Sequence, residues 1–214
     1  AGLPRGWLSV VVGPSSEIGD VLVEDERVKA ITFTGSGPVG WGIKERAAKK
    51  KVNLELGNAT PVIVTADADV EAAAASMAAN AFSFAGQSCI SVQRIYVERD
   101  AYDRFVEAFL PRVQALKVGD PADEETDVGP VIDEGAKERI LEWIGEARDG
   151  GAEILSGGEE QDGLIRPTVI GNASPELKVS CEEVFGPVVT VNAVDSLDQA
   201  IELANSTRFG LQAG

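Results

Sequence analysis

Cys89 closes the hexapeptide Phe84-Ala85-Gly86-Gln87-Ser88-Cys89, Glu55 sits within Leu54-Glu55-Leu56-Gly57, and no histidine occurs among the 214 residues. A thiol becomes a nucleophile only as the thiolate, and its proton acceptor is usually a neighbouring imidazole. Here activation has to come from backbone dipoles, a cofactor or the Glu55 carboxylate. Gly86 permits close backbone approach, and the amides around Cys89 can donate to an oxyanion formed when the thiolate attacks a carbonyl. The bland alternative is that Cys89 is a small buried apolar residue. Glu55, if buried between Leu54 and Leu56, has a raised pKa and can act as general base toward water; otherwise it is a solvent-facing residue on an edge strand.

Two other segments carry chemistry. Thr34-Gly35-Ser36-Gly37, with Gly40, lies between a strand and a helix, where amides and the positive helix end can face a phosphate. Its spacing matches neither G-x-G-x-x-G nor the P-loop, so Gly35, Gly37 and Gly40 also suit turns and close packing. In Glu182-Glu183-Val184-Phe185-Gly186-Pro187, adjacent acids on an extended segment point opposite ways, so at most one faces a site. A carboxylate accepting from ribose hydroxyls, beside an aromatic ring against a flat cofactor, is one arrangement. A charged loop anchored by a core Phe is the other. Acids beside Cys181 raise a thiol pKa, which makes that cysteine structural.

Without histidine, a Ser-His-Asp triad, a Cys-His pair, a His-ligated zinc and a haem with proximal His cannot be built from this chain alone. Two cysteines without CxxC spacing give neither a disulfide framework nor a zinc site, and no metal is expected. Nineteen basic against 35 acidic residues leave a formal charge of −16, which repels nucleic acid and anionic membranes. No apolar run approaches the ~18 residues of a membrane span, and Ala1 to Arg5 does not resemble a signal peptide. The expectation is a soluble, cytoplasmic protein.

The elements that position these residues alternate between strand-like and helix-like periods, which predicts an α/β chain with parallel strands joined by crossover helices. Strands are expected over 9–12, 30–33, 51–56, 62–65, 93–98, 152–155, 168–170 and 188–194. Helices are expected over 16–24, 39–50, 70–84 and 101–116, from the Asp133 cap to Arg148, and from the Ser196 cap through Ala204. Gly57, Asn58 and Pro61 favour a turn, leaving Glu55 at a strand end. Asp67 or Asp69, Asp133, and Ser196 with Gln199 provide caps. Neither terminus looks finished, and an excised segment is expected.

Phe33-Thr34-Gly35-Ser36, Leu54-Glu55-Leu56-Gly57, Gly86-Gln87-Ser88-Cys89, Glu182 to Pro187 and Phe209 to Gly214, in this order, resemble the NAD(P)-dependent aldehyde dehydrogenase superfamily over essentially the whole chain. The resemblance implies a parallel-sheet catalytic domain over 54–214, cut short at its C-terminus, preceded in 1–53 by the tail of a Rossmann-like dinucleotide-binding domain. It implies that Cys89 attacks an aldehyde, that the thiohemiacetal gives hydride to nicotinamide, and that Glu55 activates water against the resulting thioester. Thr34, Gly35, Ser36 and Gly40 would hold the pyrophosphate of NAD or NADP, Glu183 the nicotinamide ribose, and Phe185 would pack beside the nicotinamide. Family members are more than twice as long and form oligomers, so this segment alone is expected to be inactive, its full-length protein a homo-oligomer. A structural, self-associating module and a cysteine-dependent esterase or acyltransferase are the alternatives. Asn58 stands where many members have a second glycine, a change Asn tolerates because it enters the left-handed region readily.

Overall fold

The computed structural model describes residues 2–47 and 49–214. The chain divides into two compact units, Ala1–Leu56 and Gly57–Gly214.

In the first unit, helix α1 (Ser15–Glu24) precedes strand β1 (Ala30–Thr34), helix α2 (Gly37–Arg46) and strand β2 (Lys51–Glu55). β1 and β2 pair in parallel, Ala30 opposite Lys51 and Thr34 opposite Glu55. Both strands alternate, so Ile31, Phe33 and Val52 turn inward onto Val23, Ile43 and Ala47 while Lys51, Asn53 and Glu55 face solvent. The strand expected over 9–12 is absent. Its valines are exposed, because β propensity alone does not hold a strand for which the described residues supply no pairing partner. The helix expected over 39–50 begins two residues earlier, at Gly37, and ends at Arg46; residue 48 of that span lies outside the described residues. Because β2 runs to Glu55, residues 54–56 belong with this unit.

The second unit opens with β3 (Thr60–Val64), α3 (Val70–Phe82), β4 (Val92–Glu98) and α4 (Arg99–Gln114). There follow α5 (Glu134–Asp149), β5 (Glu153–Ser156), β6 (Glu160–Gln161), β7 (Leu164–Ile165), β8 (Thr168–Gly171), α6 (Lys178–Cys181), β9 (Val188–Val194) and α7 (Leu197–Ala204). Five strands form one sheet in the order β3-β4-β9-β8-β5, all parallel except β5, which runs antiparallel to β8. Alternate residues feed opposite faces. Val169, Val189 and Val191 join α3 and α4 around Phe82, Phe105 and Phe109, whereas Ile170 and Val188 join α5 and α6 around Ile140, Ile144 and Val179.

The caps are real. Asp69 and Asp133 accept from the amides of Ala72 and Ala136 at 3.1 and 2.7 Å, and Ser196 Oγ from Gln199 N at 3.2 Å. Pro61, read as part of a turn, instead lies in β3, where the register shifts between Thr60 and Pro61; an edge strand tolerates a residue that cannot donate. The hairpin β6–β7 was not foreseen, although Asp162-Gly163, both at positive φ, is a strong tight-turn signal. Nor was α6, whose four residues are too few to display a period. Among the described residues no helix is long and apolar enough to cross a membrane.

Candidate active site

α3 stops at Phe82, two residues short of its expected end, because Phe84, Ala85 and Gly86 take φ values of 52°, 56° and 70°. Left-handed backbone costs a non-glycine residue about 1–2 kcal/mol, so this turn must be over-determined by its surroundings. The Phe84 carbonyl accepts from both the amide and the side chain of Gln87, each at 3.1 Å. The same side chain donates to Pro130 O at 3.3 Å and accepts from Ile132 N at 2.7 Å, tying the segment before α5 to the cysteine loop. A Cβ on Gly86 would run into the Gly186 carbonyl, so these two motifs meet backbone to backbone. Cys89 sits half-buried in the next turn, closed by Ser91 N donating to Ser88 O at 3.0 Å.

Glu183 is held on the other side of that contact. Its Oε1 accepts from Asn58 N at 2.8 Å, and a Cβ on Gly57 would strike the carboxylate, so the Gly57–Asn58 backbone lies flat against it. Burial pushes the Glu183 carboxyl above its ordinary range, while the Asn58 amide and the Arg139 charge pull the other way. Arg139, on α5, donates to Val184 O at 2.9 Å and stacks 4.7 Å from the Trp143 ring centroid; burial lowers its pKa against the pull of Glu183 and Asp133. Glu182 turns away, forming a bidentate pair with Arg208. Phe185, at φ 50°, keeps 39% of its surface exposed. Asn58, Gly86, Ser88, Glu183, Phe185 and Gly186 line one small void of about 10 Å³, which Cys89, the neighbour of Ser88 in the chain, does not itself line. The Cys181 thiol is pushed up by burial and then by Glu182, and donates to Glu176 O at 3.5 Å. Among the described residues no cluster of three or more metal-ligating side chains occurs.

Two residues carrying this geometry escaped the sequence reading. Gln93 and Arg94, 5% and 1% exposed, are consecutive polar residues in the buried strand β4. Gln93 Nε2 donates to Val179 O (3.0 Å) and Glu182 O (2.7 Å), and its Oε1 accepts from Val184 N (3.0 Å). Arg94 donates to Ala59 O at 2.9 Å and to Leu203 O and Ala204 O at 3.1 and 3.0 Å, capping the C-terminal end of α7 with a buried guanidinium. The available signal was a Gln-Arg pair inside an otherwise apolar β run, where burial obliges polar groups to find partners.

In the first unit, Thr34, Gly35, Ser36 and Gly40 gather where β1 gives way to α2, and Glu55 ends the paired strand beside them. Glu55 is exposed, not enclosed by Leu54 and Leu56, because the pleat sends it to the opposite face from Leu54. The Gly35 amide donates to Glu55 O and the Gly40 amide to Ser36 O, both at 3.0 Å, so neither is available to an anion. Both glycines also pack on the Phe33 ring. The Ser36 hydroxyl makes no capping bond to the helix it precedes, and since Pro38 has no N–H and the Gly40 amide is taken, that hydroxyl and the Gly37 and Val39 amides are the donors there.

A family model described as "Aldehyde dehydrogenase family" matches residues 1–214. The chain is 45% identical, over its whole length and 45% of the relative's, to 3-sulfolactaldehyde dehydrogenase of Priestia aryabhattai. It superposes with a TM-score of 0.96 on the crystal structure of an NAD-dependent aldehyde dehydrogenase from Sinorhizobium meliloti, 40% identical, covering 99% of this chain and 43% of that one. An NADP-dependent glyceraldehyde-3-phosphate dehydrogenase from Bacillus halodurans, complexed with NADP, gives 0.95 at 40% identity, covering 99% and 44%. The chain thus spans less than half the length of these proteins.

Proposed function

Because the chain belongs to the aldehyde dehydrogenase family, we propose that it supplies the nucleophile, the hydrolytic base and part of the cofactor cradle of an enzyme that oxidises an aldehyde to a carboxylic acid with NAD or NADP. The observation that carries this reading is the backbone contact of Gly86 with Gly186, which brings the segment of Glu183 and Phe185 against the loop that carries Cys89.

The residues suit a dinucleotide. A carboxylate with one oxygen engaged by a backbone amide retains acceptor capacity for ribose hydroxyls, and the part-exposed Phe185 ring on the same segment suits a flat heterocycle. The Ser36 hydroxyl, which makes no capping bond, and the Gly37 and Val39 amides suit a pyrophosphate, with Gly35 and Gly40 providing close approach more than donors. On this reading Ala1–Leu56 ends the dinucleotide-binding domain and Gly57–Gly214 is catalytic. When bound, the nicotinamide accepts the hydride that leaves the substrate carbon.

The chain's own residues do the remaining chemistry. The Cys89 thiolate adds to the aldehyde carbon, forming a C–S bond while the carbonyl electrons move to oxygen, and the Cys89 amide donates to that oxyanion. Loss of hydride leaves a thioester on Cys89. Glu55, ending β2 in a solvent-exposed position, takes a proton from the water that attacks it; the C–S bond breaks and acid leaves. This sequence needs no imidazole, in keeping with the absence of histidine.

We propose further that the 214-residue chain alone has little or no dehydrogenase activity, since relatives bring more than twice its length to the reaction, and that the complete protein is a homo-oligomer. The test is formation of reduced dinucleotide from a simple aldehyde, by this chain and by the complete protein with and without Cys89→Ala. Turnover by the complete protein that disappears with Cys89→Ala supports the reading; unchanged turnover in that variant overturns it.

A further inference from the structure

Among the described residues, Gln93 is the one side chain that grips the main chain on both sides of Glu183, through Glu182 O and Val184 N, while also reaching Val179 O. Three hydrogen bonds from one buried amide hold a span of six residues, and nothing about the core requires a polar side chain there: Val92 and Ile95 of the same strand are apolar and buried. The partner of Glu183 is fixed from the same strand. Arg94, pointing to the opposite face of β4, holds the carbonyl of Ala59, one residue beyond Asn58. Consecutive residues of β4 therefore hold, separately, the main chain flanking Glu183 and the carbonyl of the residue after its amide donor. β4 begins three residues after Cys89, so the clamp also ties Glu183 to the strand that leads out of the nucleophile loop.

We infer that Gln93 is a positioning residue for the Glu183 carboxylate, acting on the dinucleotide only through it; the consequence for cofactor binding rests on the function proposed above. Replacing Gln93 by Leu removes all three bonds at similar volume, and replacing it by Glu keeps the acceptor for Val184 N but loses both donors.

The experiment uses the complete protein that carries this chain, with Gln93→Leu, Gln93→Glu, Glu183→Gln and the double variant Gln93→Leu/Glu183→Gln. The first readout is hydrogen exchange of the Asn58 amide, which is bonded to Glu183 and not to Gln93. Faster Asn58 exchange in Gln93→Leu and Gln93→Glu is expected; unchanged exchange in whichever of the two folds overturns the inference whatever the activity. The second readout is the KM for dinucleotide. An increase of about tenfold or more in Gln93→Leu, with kcat less affected and no further increase over Glu183→Gln in the double variant, is expected; full additivity overturns the inference, since it marks a general structural effect. If Glu183→Gln itself leaves the dinucleotide KM unchanged, the ribose role of Glu183 fails, and Asn58 exchange alone then decides for or against Gln93.

Discussion

The Asn58 amide and the Glu183 carboxylate, 125 positions apart, meet at 2.8 Å with no room on Gly57 for a methyl group. Gly57→Ala is therefore expected to displace the carboxylate, and since relaxation here means moving a hydrogen-bonded, part-buried acid, the cost is about 1–3 kcal/mol. Urea unfolding of the parent and the variant measures it; equal midpoints and slopes would contradict the close contact.

Glu183 also makes stability depend on pH. Its carboxyl is raised in the fold by burial, so between the unfolded and folded pKa the native state holds more protons than the unfolded one, and stability falls as pH increases. The loss begins near the ordinary value of 4.5 and levels off above the folded pKa. Glu183→Gln lacks this component. Thermal unfolding of both proteins across that range should show the difference shifting against the parent as pH rises; a difference that shifts the opposite way contradicts the burial of Glu183.

Gly86→Ala should be among the most damaging single substitutions. It demands φ near +70° of an alanine and drives a Cβ into the Gly186 carbonyl, so strain and overpacking together cost about 2–5 kcal/mol. Circular dichroism and denaturant midpoints on the purified chain report the loss.

Cys181 is expected to be a slow thiol although it is part-exposed. Burial and the neighbouring Glu182 raise the Cys181 thiol, so its alkylation by iodoacetamide near pH 8 should be slower than that of a free model thiol. Peptide mapping of labelled protein gives the rate at each site, and labelling of Cys181 as fast as the model thiol would rule out this environment.

Arg94→Lys preserves charge but cannot serve Ala59, Leu203 and Ala204 with one ammonium in the same geometry. Leaving one or two buried carbonyls unpaired costs about 2–4 kcal/mol, against about 1 kcal/mol for removing the α5 cap with Asp133→Ala. Denaturant midpoints of the two variants should fall in that order.

Local rules made much of this protein legible. The period-2 and helical runs, with acidic or hydroxyl caps at Asp69, Asp133 and Ser196, identify most elements to within a few residues because helix ends and pleats are governed by neighbours in the chain. The absence of histidine and the order of five motifs were likewise readable without coordinates. Tertiary structure alone decided the rest. Residues 9–12 have strand composition but no ladder, since a strand is made by its partner, and Glu55 is exposed because a pleat, not its apolar neighbours, sets where it points. The family resemblance singled out Glu183 from the sequence, but that its carboxylate meets an amide 125 positions away while Glu182 meets Arg208 is set only in the folded chain. Gln93 and Arg94 look like faults in an apolar strand until the carbonyls and amide they serve are brought beside them, because a buried polar group is specified by distant backbone that sequence spacing does not encode.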